Sequence, residues 1–214
     1  MALIVLDREL RFPPVEMADE DGLLAIGGDL SRERLLHAYR NGIFPWYQNE
    51  VILWWCPDPR FVLFPDELKI SSSMKQLLKK QPFEFSVDTD FNAVISQCKA
   101  ITRRGQEGTW ITEEMRNAYN DLHFAGYAHS AEVRLQGELV GGLYGVRLGK
   151  IFYGESMFSR YSNASKYAFI RYVEQLKAEG VELIDCQVYT AHLESLGARM
   201  IPRSHFIRLV KSLL

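Results

Sequence analysis

The sequence is poor in the features that mark secreted chains, membrane proteins and bulk polyanion binders. It has three cysteines, Cys56, Cys98 and Cys186, and an odd, widely spaced set fits neither a disulfide framework nor a paired-thiol metal site. Reduced thiols and a cytoplasmic location are expected. The apolar run Met1–Leu6 is cut by Asp7 and Arg8, which leaves it too short for a signal core or a membrane span. A formal net charge of −2 excludes a global basic field, so any polyanion would have to be met by local patches. There is no internal repeat and no low-complexity tract. What the 214 residues do contain is 47% apolar side chains, enough for a real core in one large domain or two small ones.

Two compositions meet near residue 65. Five of the eight prolines (Pro13, Pro14, Pro45, Pro57, Pro59) and three of the four tryptophans (Trp46, Trp54, Trp55) precede it. A small, loop-rich N-terminal domain is therefore expected over 1–65, with one short helix capped by Ser31, and a larger domain over 66–214. In that larger part Ser71–Ser73 begin a helix with Lys75 and Lys79 outside. Phe83–Asp88 alternates as a strand and Phe91–Ala100 reads as a helix. Arg103–Gly108 is a charged loop leading to Thr109-Trp110-Ile111, and Thr112 caps the next helix, with Glu113 and Glu114 at its positive end. Ala128–Leu135 and Leu139–Arg147 make a hairpin around Gln136-Gly137.

The most informative stretch is Glu138–Gln187, which reads strand, turn, strand, helix, strand. Ile151–Tyr153 is a β-rich run. Asn163 or Ser162 can cap a helix whose apolar stripe is Ala164, Ala168, Phe169, Tyr172, Val173 and Leu176, and Gly180 stops it. Val181–Gln187 is a further strand. If it runs parallel to the first, the unit is a right-handed βαβ crossover, and ligands bind beyond the carboxyl ends of such strands. Glu155, leaving the first strand, would then meet Asp185 and Gln187 at the end of the second. Strict alternation would put Asp185 and Gln187 on one face and Cys186 on the other.

From Phe83 onward the order is βααβββαβ, an α+β arrangement around a mixed sheet. It resembles the acyltransferase fold of the GCN5-related N-acetyltransferases (GNAT-like). Coenzyme A users of that fold carry a (Q/R)xxGx(G/A) pyrophosphate loop, and Gly154–Arg160 (GESMFSR) lacks it. Along nearly its whole length the chain instead resembles the leucyl/phenylalanyl-tRNA-protein transferase family. The matching segments are GLLAIGGDL (Gly22–Leu30), GIFPW (Gly42–Trp46), LWWCPDPR (Leu53–Arg60), GTWIT (Gly108–Thr112), LVGGLYGV (Leu139–Val146), GESMFS (Gly154–Ser159), NASK (Asn163–Lys166), LIDCQ (Leu183–Gln187) and SLGA (Ser195–Ala198).

The resemblance implies transfer of leucine, phenylalanine or, less readily, methionine from aminoacyl-tRNA to the α-amine of proteins beginning with Arg or Lys. The product is a degradation signal in that family. No metal, cofactor or membrane partner is implied, and a monomer is expected. Asp185 and Gln187 are assigned to the reacting amine. Glu155 either supports them or pairs with the cationic acceptor side chain. Leu143, Phe152, Met157, Phe169 and Tyr172 correspond to the pocket for the transferred side chain. Tyr39, Trp46 and Trp110 correspond to the wall that stacks on the terminal adenosine. Lys75 and Lys79, with Arg103 and Arg104, would meet acceptor-stem phosphates, a contact that weakens as salt rises. The two competing readings are a coenzyme-A-dependent acetyltransferase and a non-catalytic RNA-binding module.

Overall fold

A computed structural model of the chain describes residues 4–48, 51–101 and 111–214. The N-terminal stretch is more ordered than its composition suggests. It forms β1 (Val5–Leu6), β2 (Leu23–Gly27), α1 (Arg32–Arg40), β3 (Phe44–Pro45) and β4 (Leu53–Trp55), with the four strands paired in the order β1-β2-β4-β3. Strands of two to five residues, broken by glycine and proline, carry no readable alternation. Ser31 caps α1 by accepting from the Arg34 amide, as the N-cap preference of serine requires.

The remainder runs β5 (Arg60–Leu63), α2 (Ser72–Lys80), β6 (Glu84–Val87), α3 (Phe91–Ala100), α4 (Glu113–Phe124), β7 (Ala128–Leu135), β8 (Glu138–Leu148), β9 (Ile151–Ser159), α5 (Ala164–Ala178), β10 (Leu183–Gln187), α6 (Ala191–Glu194), β11 (Arg199–Ile201) and α7 (Arg203–Leu213). From β6 to β10 this is the expected order βααβββαβ, an α+β fold around a mixed sheet. The seven-stranded sheet has the order β11-β5-β10-β9-β8-β7-β6. Its parallel pair is β10 with β9, bridged by α5. β5 lies ahead of residue 65 in the chain, yet it pairs antiparallel with β10 in the large sheet.

Each face of the large sheet is covered. On one face α5 buries Phe169, Tyr172 and Val173 against Leu143, Phe152 and Ile184. On the other, Tyr144, Val146, Tyr153 and Leu183 share a core with α3, α4, α7 and the small sheet. Among the described residues no helix is long and apolar enough to cross a membrane.

β9 is longer than the Ile151–Tyr153 run predicts, because its second half pairs with β8 alone. Its register against β10 covers only Ile151 to Tyr153, opposite Leu183 to Asp185. Against β8 it continues to Ser159, so Glu155 to Met157 lie inside the strand and not beyond its end. The hairpin partner explains the difference: β8 keeps donating ladder bonds after β10 has parted from β9.

The glycines of LVGGLYGV fit this geometry. A Cβ on Gly145 would lie 2.2 Å from the Tyr153 carbonyl oxygen, and one on Gly141 2.7 Å from the Ala164 Cβ. The strands and α5 can approach closely only because those side chains are missing. Gly145→Ala should destabilise the protein by about 1–3 kcal/mol or more, as overpacking does. The denaturant midpoint in equilibrium unfolding checks it. An unchanged midpoint would mean that the two strands can separate at no cost.

Candidate active site

The crevice opens where β9 and β10 diverge, and each strand carries a bulge at that point. On β9, Tyr144 of β8 opposes Ser156 while Gly145 opposes Gly154, so Glu155 is the extra, unpaired residue. On β10, Asp185 opposes Val62 and Gln187 opposes Phe61, leaving Cys186 as the extra one. A bulge re-aims side chains and ends pairing. Here it brings Phe152 and Met157, five residues apart, to the α5 side of the sheet. It also turns Gln187 into a left-handed conformation (φ 63°), which costs a non-glycine residue about 1–3 kcal/mol.

The resulting cavity measures about 470 Å³, within the usual range for a small-molecule site. Its apolar part is lined by Leu143, Phe152, Met157 and Phe169, with Ile184 and Cys186. Glu155 and Gln187 also line it. Tyr172 is not in the lining. It sits behind Phe152, the two rings edge to face at 5.2 Å, and therefore shapes the pocket indirectly.

Glu155 is the electrostatic centre. Its Oε1 accepts from the Tyr39 hydroxyl at 2.8 Å and from Gln187 Nε2 at 2.8 Å. Its Oε2 accepts from the Tyr119 hydroxyl at 2.9 Å. Burial pushes Glu155 up to about 7. The three donors work against that shift, while the nearby Asp185 charge adds to it. Both phenols are held well above their ordinary value by burial and by the Glu155 charge, so they remain protonated donors at neutral pH.

The two phenol oxygens also lie 2.6 Å apart. Each of the three contacts, Tyr39 to Tyr119, Tyr39 to Glu155 and Tyr119 to Glu155, needs one proton, and two phenols supply only two. A proton on Glu155 completes the set. The cluster is thus one proton short when Glu155 is ionised. This is a physical reason, independent of burial, for the carboxylate to take a proton near neutrality.

Asp185, assigned from sequence to the reacting amine, lies elsewhere. It is fully buried and does not line the cavity. Its two oxygens accept from Arg60 Nε at 2.8 Å and Nη2 at 2.6 Å, and Oδ1 also accepts from the Gln187 amide at 2.9 Å. Alternation places Asp185 and Gln187 on one face, but the bulge at Cys186 breaks it. The Gln187 side chain reaches Glu155, while Asp185 stays on Arg60.

Tyr39, expected in the adenosine wall, is fully buried and has no exposed ring face. The Tyr153 hydroxyl holds it by donating to its carbonyl at 2.9 Å. Trp46 is partly exposed and packs on Trp55 at 5.8 Å, outside the cavity lining. Lys75 and Lys79 are exposed on α2. Trp110, Arg103 and Arg104 lie outside the described residues. Tyr119 carries no motif that singles it out. It sits on the buried stripe Met115, Tyr119, Leu122 of α4, where a tyrosine reads as core.

Comparison with known proteins shows the family of the chain. Residues 62–211 match the family model described as leucyl/phenylalanyl-tRNA protein transferase, and residues 28–58 match the model of its N-terminal domain. The chain belongs to the leucyl/phenylalanyl-tRNA-protein transferase family. A relative of that name from Syntrophus aciditrophicus (strain SB) is 59% identical over 212 residues, 99% of this chain and 89% of the relative. Another, from Flavobacterium johnsoniae, is 57% identical over 208 residues, 97% of this chain and 98% of the relative. Among solved structures, FemX superposes with a TM-score of 0.55 at 10% identity, covering 84% of this chain and 71% of FemX. That likeness concerns the fold alone. At 57–59% identity over nearly complete chains, the family relation extends to both sheets and the crevice between β9 and β10.

Proposed function

We propose that the chain is an aminoacyltransferase that moves leucine, phenylalanine or, less readily, methionine from an aminoacyl-tRNA to the α-amine of proteins beginning with Arg or Lys, marking them for degradation. The carrying observation is the pairing of a largely apolar cavity with a carboxylate in its lining that is held at about 7. The apolar part takes the transferred side chain, and Glu155 takes the proton of the attacking amine.

The chemistry is aminolysis of an ester. An N-terminal amine has a pKa of about 7.7–8.0, so roughly a tenth is neutral at pH 7. Modest base help and good positioning therefore suffice. In this reading the neutral amine attacks the ester carbonyl, a C–N bond forms and the C–O bond to the ribose breaks. One amine proton passes to Glu155. The departing ribose oxygen is then protonated from it, and no proton is gained or lost overall. A carboxylate offers about four lone-pair positions. Three are taken here, which leaves one for the amine. Gln187 orients Glu155, and Asp185 acts behind Gln187.

The remaining assignments follow the same reading. The small domain expected over 1–65 delivers Tyr39 to the site but gives up β5 to the sheet of the catalytic domain expected over 66–214. Trp46 with Trp110 stacks on the terminal adenosine, and Lys75, Lys79, Arg103 and Arg104 meet the acceptor stem. The enzyme works as a cytoplasmic monomer.

The test offers labelled Leu-tRNA, or labelled acetyl-CoA, with peptides beginning in Arg, Lys or Ala. Label should pass from the tRNA to the Arg and Lys peptides. Label leaving acetyl-CoA, or reaching the Ala peptide as readily as the Arg peptide, would overturn the reading.

A further inference from the structure

One buried cation has no part in the reaction as described. Arg60, at the start of β5, is completely excluded from solvent. Its guanidinium carbon lies 4.6 Å from the ring centroid of Phe44 and 4.6 Å from that of Phe206, one ring from the small sheet and the other from α7. Its planar fork meets both oxygens of Asp185, at 2.8 and 2.6 Å. Burial alone would make Arg60 a weaker base, and the Asp185 charge more than offsets this.

A buried ion pair is a poor means of stabilising a core, since apolar residues of the same volume often do better. What a bidentate fork provides is geometry: it fixes the plane and the position of a carboxylate. Here that carboxylate has a second task. Asp185 Oδ1 also accepts from the Gln187 amide at 2.9 Å, and Gln187 is the residue held at φ 63° whose Nε2 reaches Glu155 at 2.8 Å.

We propose that Arg60 is a positioning residue for the transfer reaction: gripped between Phe44 and Phe206, it locks Asp185 so that Gln187 stays in its left-handed turn with its side-chain amide on Glu155. Phe44 and Phe206 belong to elements that contribute nothing to the cavity lining, so the clamp ties the small sheet and α7 to the geometry of the crevice. The inference rests on the aminoacyl-transfer reading for its kinetic consequence, but its structural core concerns Glu155 alone.

The test is made on the full-length protein with Arg60→Lys, which keeps the charge but cannot span both oxygens, and with Phe206→Leu, which keeps an apolar side chain and removes one ring. Two quantities are read. The first is leucyl transfer, split into kcat and the KM for Leu-tRNA. The second is the titration of Glu155, followed without substrate by carboxyl NMR against a Glu155→Gln blank. The groups facing Glu155 are Tyr39 from α1, Tyr119 from α4, and Asp185 and Gln187 from β10.

Expected for Arg60→Lys is a 10- to 100-fold fall in kcat, roughly the loss that a misplaced orienting group causes, with the donor KM within about threefold. The Glu155 titration should move upward, because a donor to its charged form is loosened. Phe206→Leu should move both readouts the same way, by less. If either variant, folded by circular dichroism, keeps the wild-type kcat and the wild-type Glu155 titration, the proposal is overturned. Should Arg60→Lys fail to fold, Phe206→Leu decides. A wild-type protein that transfers no leucine would sink the reaction reading, and the titration arm would still test the clamp.

Discussion

Replacing Glu155 with glutamine should slow single-turnover leucyl transfer by about 10²–10⁴-fold, the range supplied by a positioned general base, and should at the same time make the protein more stable above neutral pH. The two effects have one cause. Burial holds Glu155 at about 7, against an ordinary value of 4.5, so the folded protein prefers the protonated form. A group raised in this way contributes stability that is fully present below about 4.5 and is lost as pH rises through about 7. Glutamine does not titrate. At pH 8 the variant should therefore be more stable than the wild type by on the order of 1–3 kcal/mol, and at pH 5 the difference should be much smaller. Thermal melts at the two pH values check the second half of this expectation. A variant that is slow but no more stable at pH 8 would mean that the carboxylate is solvated and not strained.

Removing Asp185 should have the opposite balance. Asp185→Ala leaves the Arg60 guanidinium buried with no counter-charge, and breaking such a pair from one side costs about 3–5 kcal/mol. For a chain of this size that lowers the melting temperature by on the order of 10 °C. The Gln187 amide also loses its acceptor, so transfer should slow, while donor binding in the apolar pocket is largely kept. Urea titration measures the first effect and the donor KM the second. A loss of under 1 kcal/mol would show that Arg60 finds another partner, and Asp185 could then not be what holds the turn at Gln187.

The order βααβββαβ was legible because the elements that carry it are long. Phe91–Ala100 coincides with the helix formed, and Ala128–Leu135 with the strand. The parallel pairing of β9 with β10 followed from the helix between them. What periodicity could not show is where it stops. Glu155 and Cys186 are each one residue too many for the ladder, and nothing local distinguishes them from ordinary strand residues. Periodicity alone therefore ends β9 too early and puts Asp185 and Gln187 on a common face. Tyr39 and Tyr119 fall on buried helical stripes, so their hydroxyls look like core tyrosines until α1 and α4 are seen to converge on one carboxylate. Arg60 lay within LWWCPDPR in plain view, but its partner is 125 positions away. Leu143, Phe152, Met157 and Phe169, which the resemblance assigns to the side-chain pocket, all line the cavity. Tyr172, assigned with them, backs Phe152 instead.

The central claim is that Glu155 receives the proton of the attacking amine. The pH dependence of single-turnover leucyl transfer, with both substrates saturating, tests it most directly. It should be measured with two Arg-initiated peptides whose α-amines differ in pKa. The account expects a rise in rate centred near pH 7 at the same position for both peptides, with any second limb moving with the amine, and loss of the fixed limb in Glu155→Gln. A profile whose only limb follows the amine, or one that survives in Glu155→Gln, would contradict it.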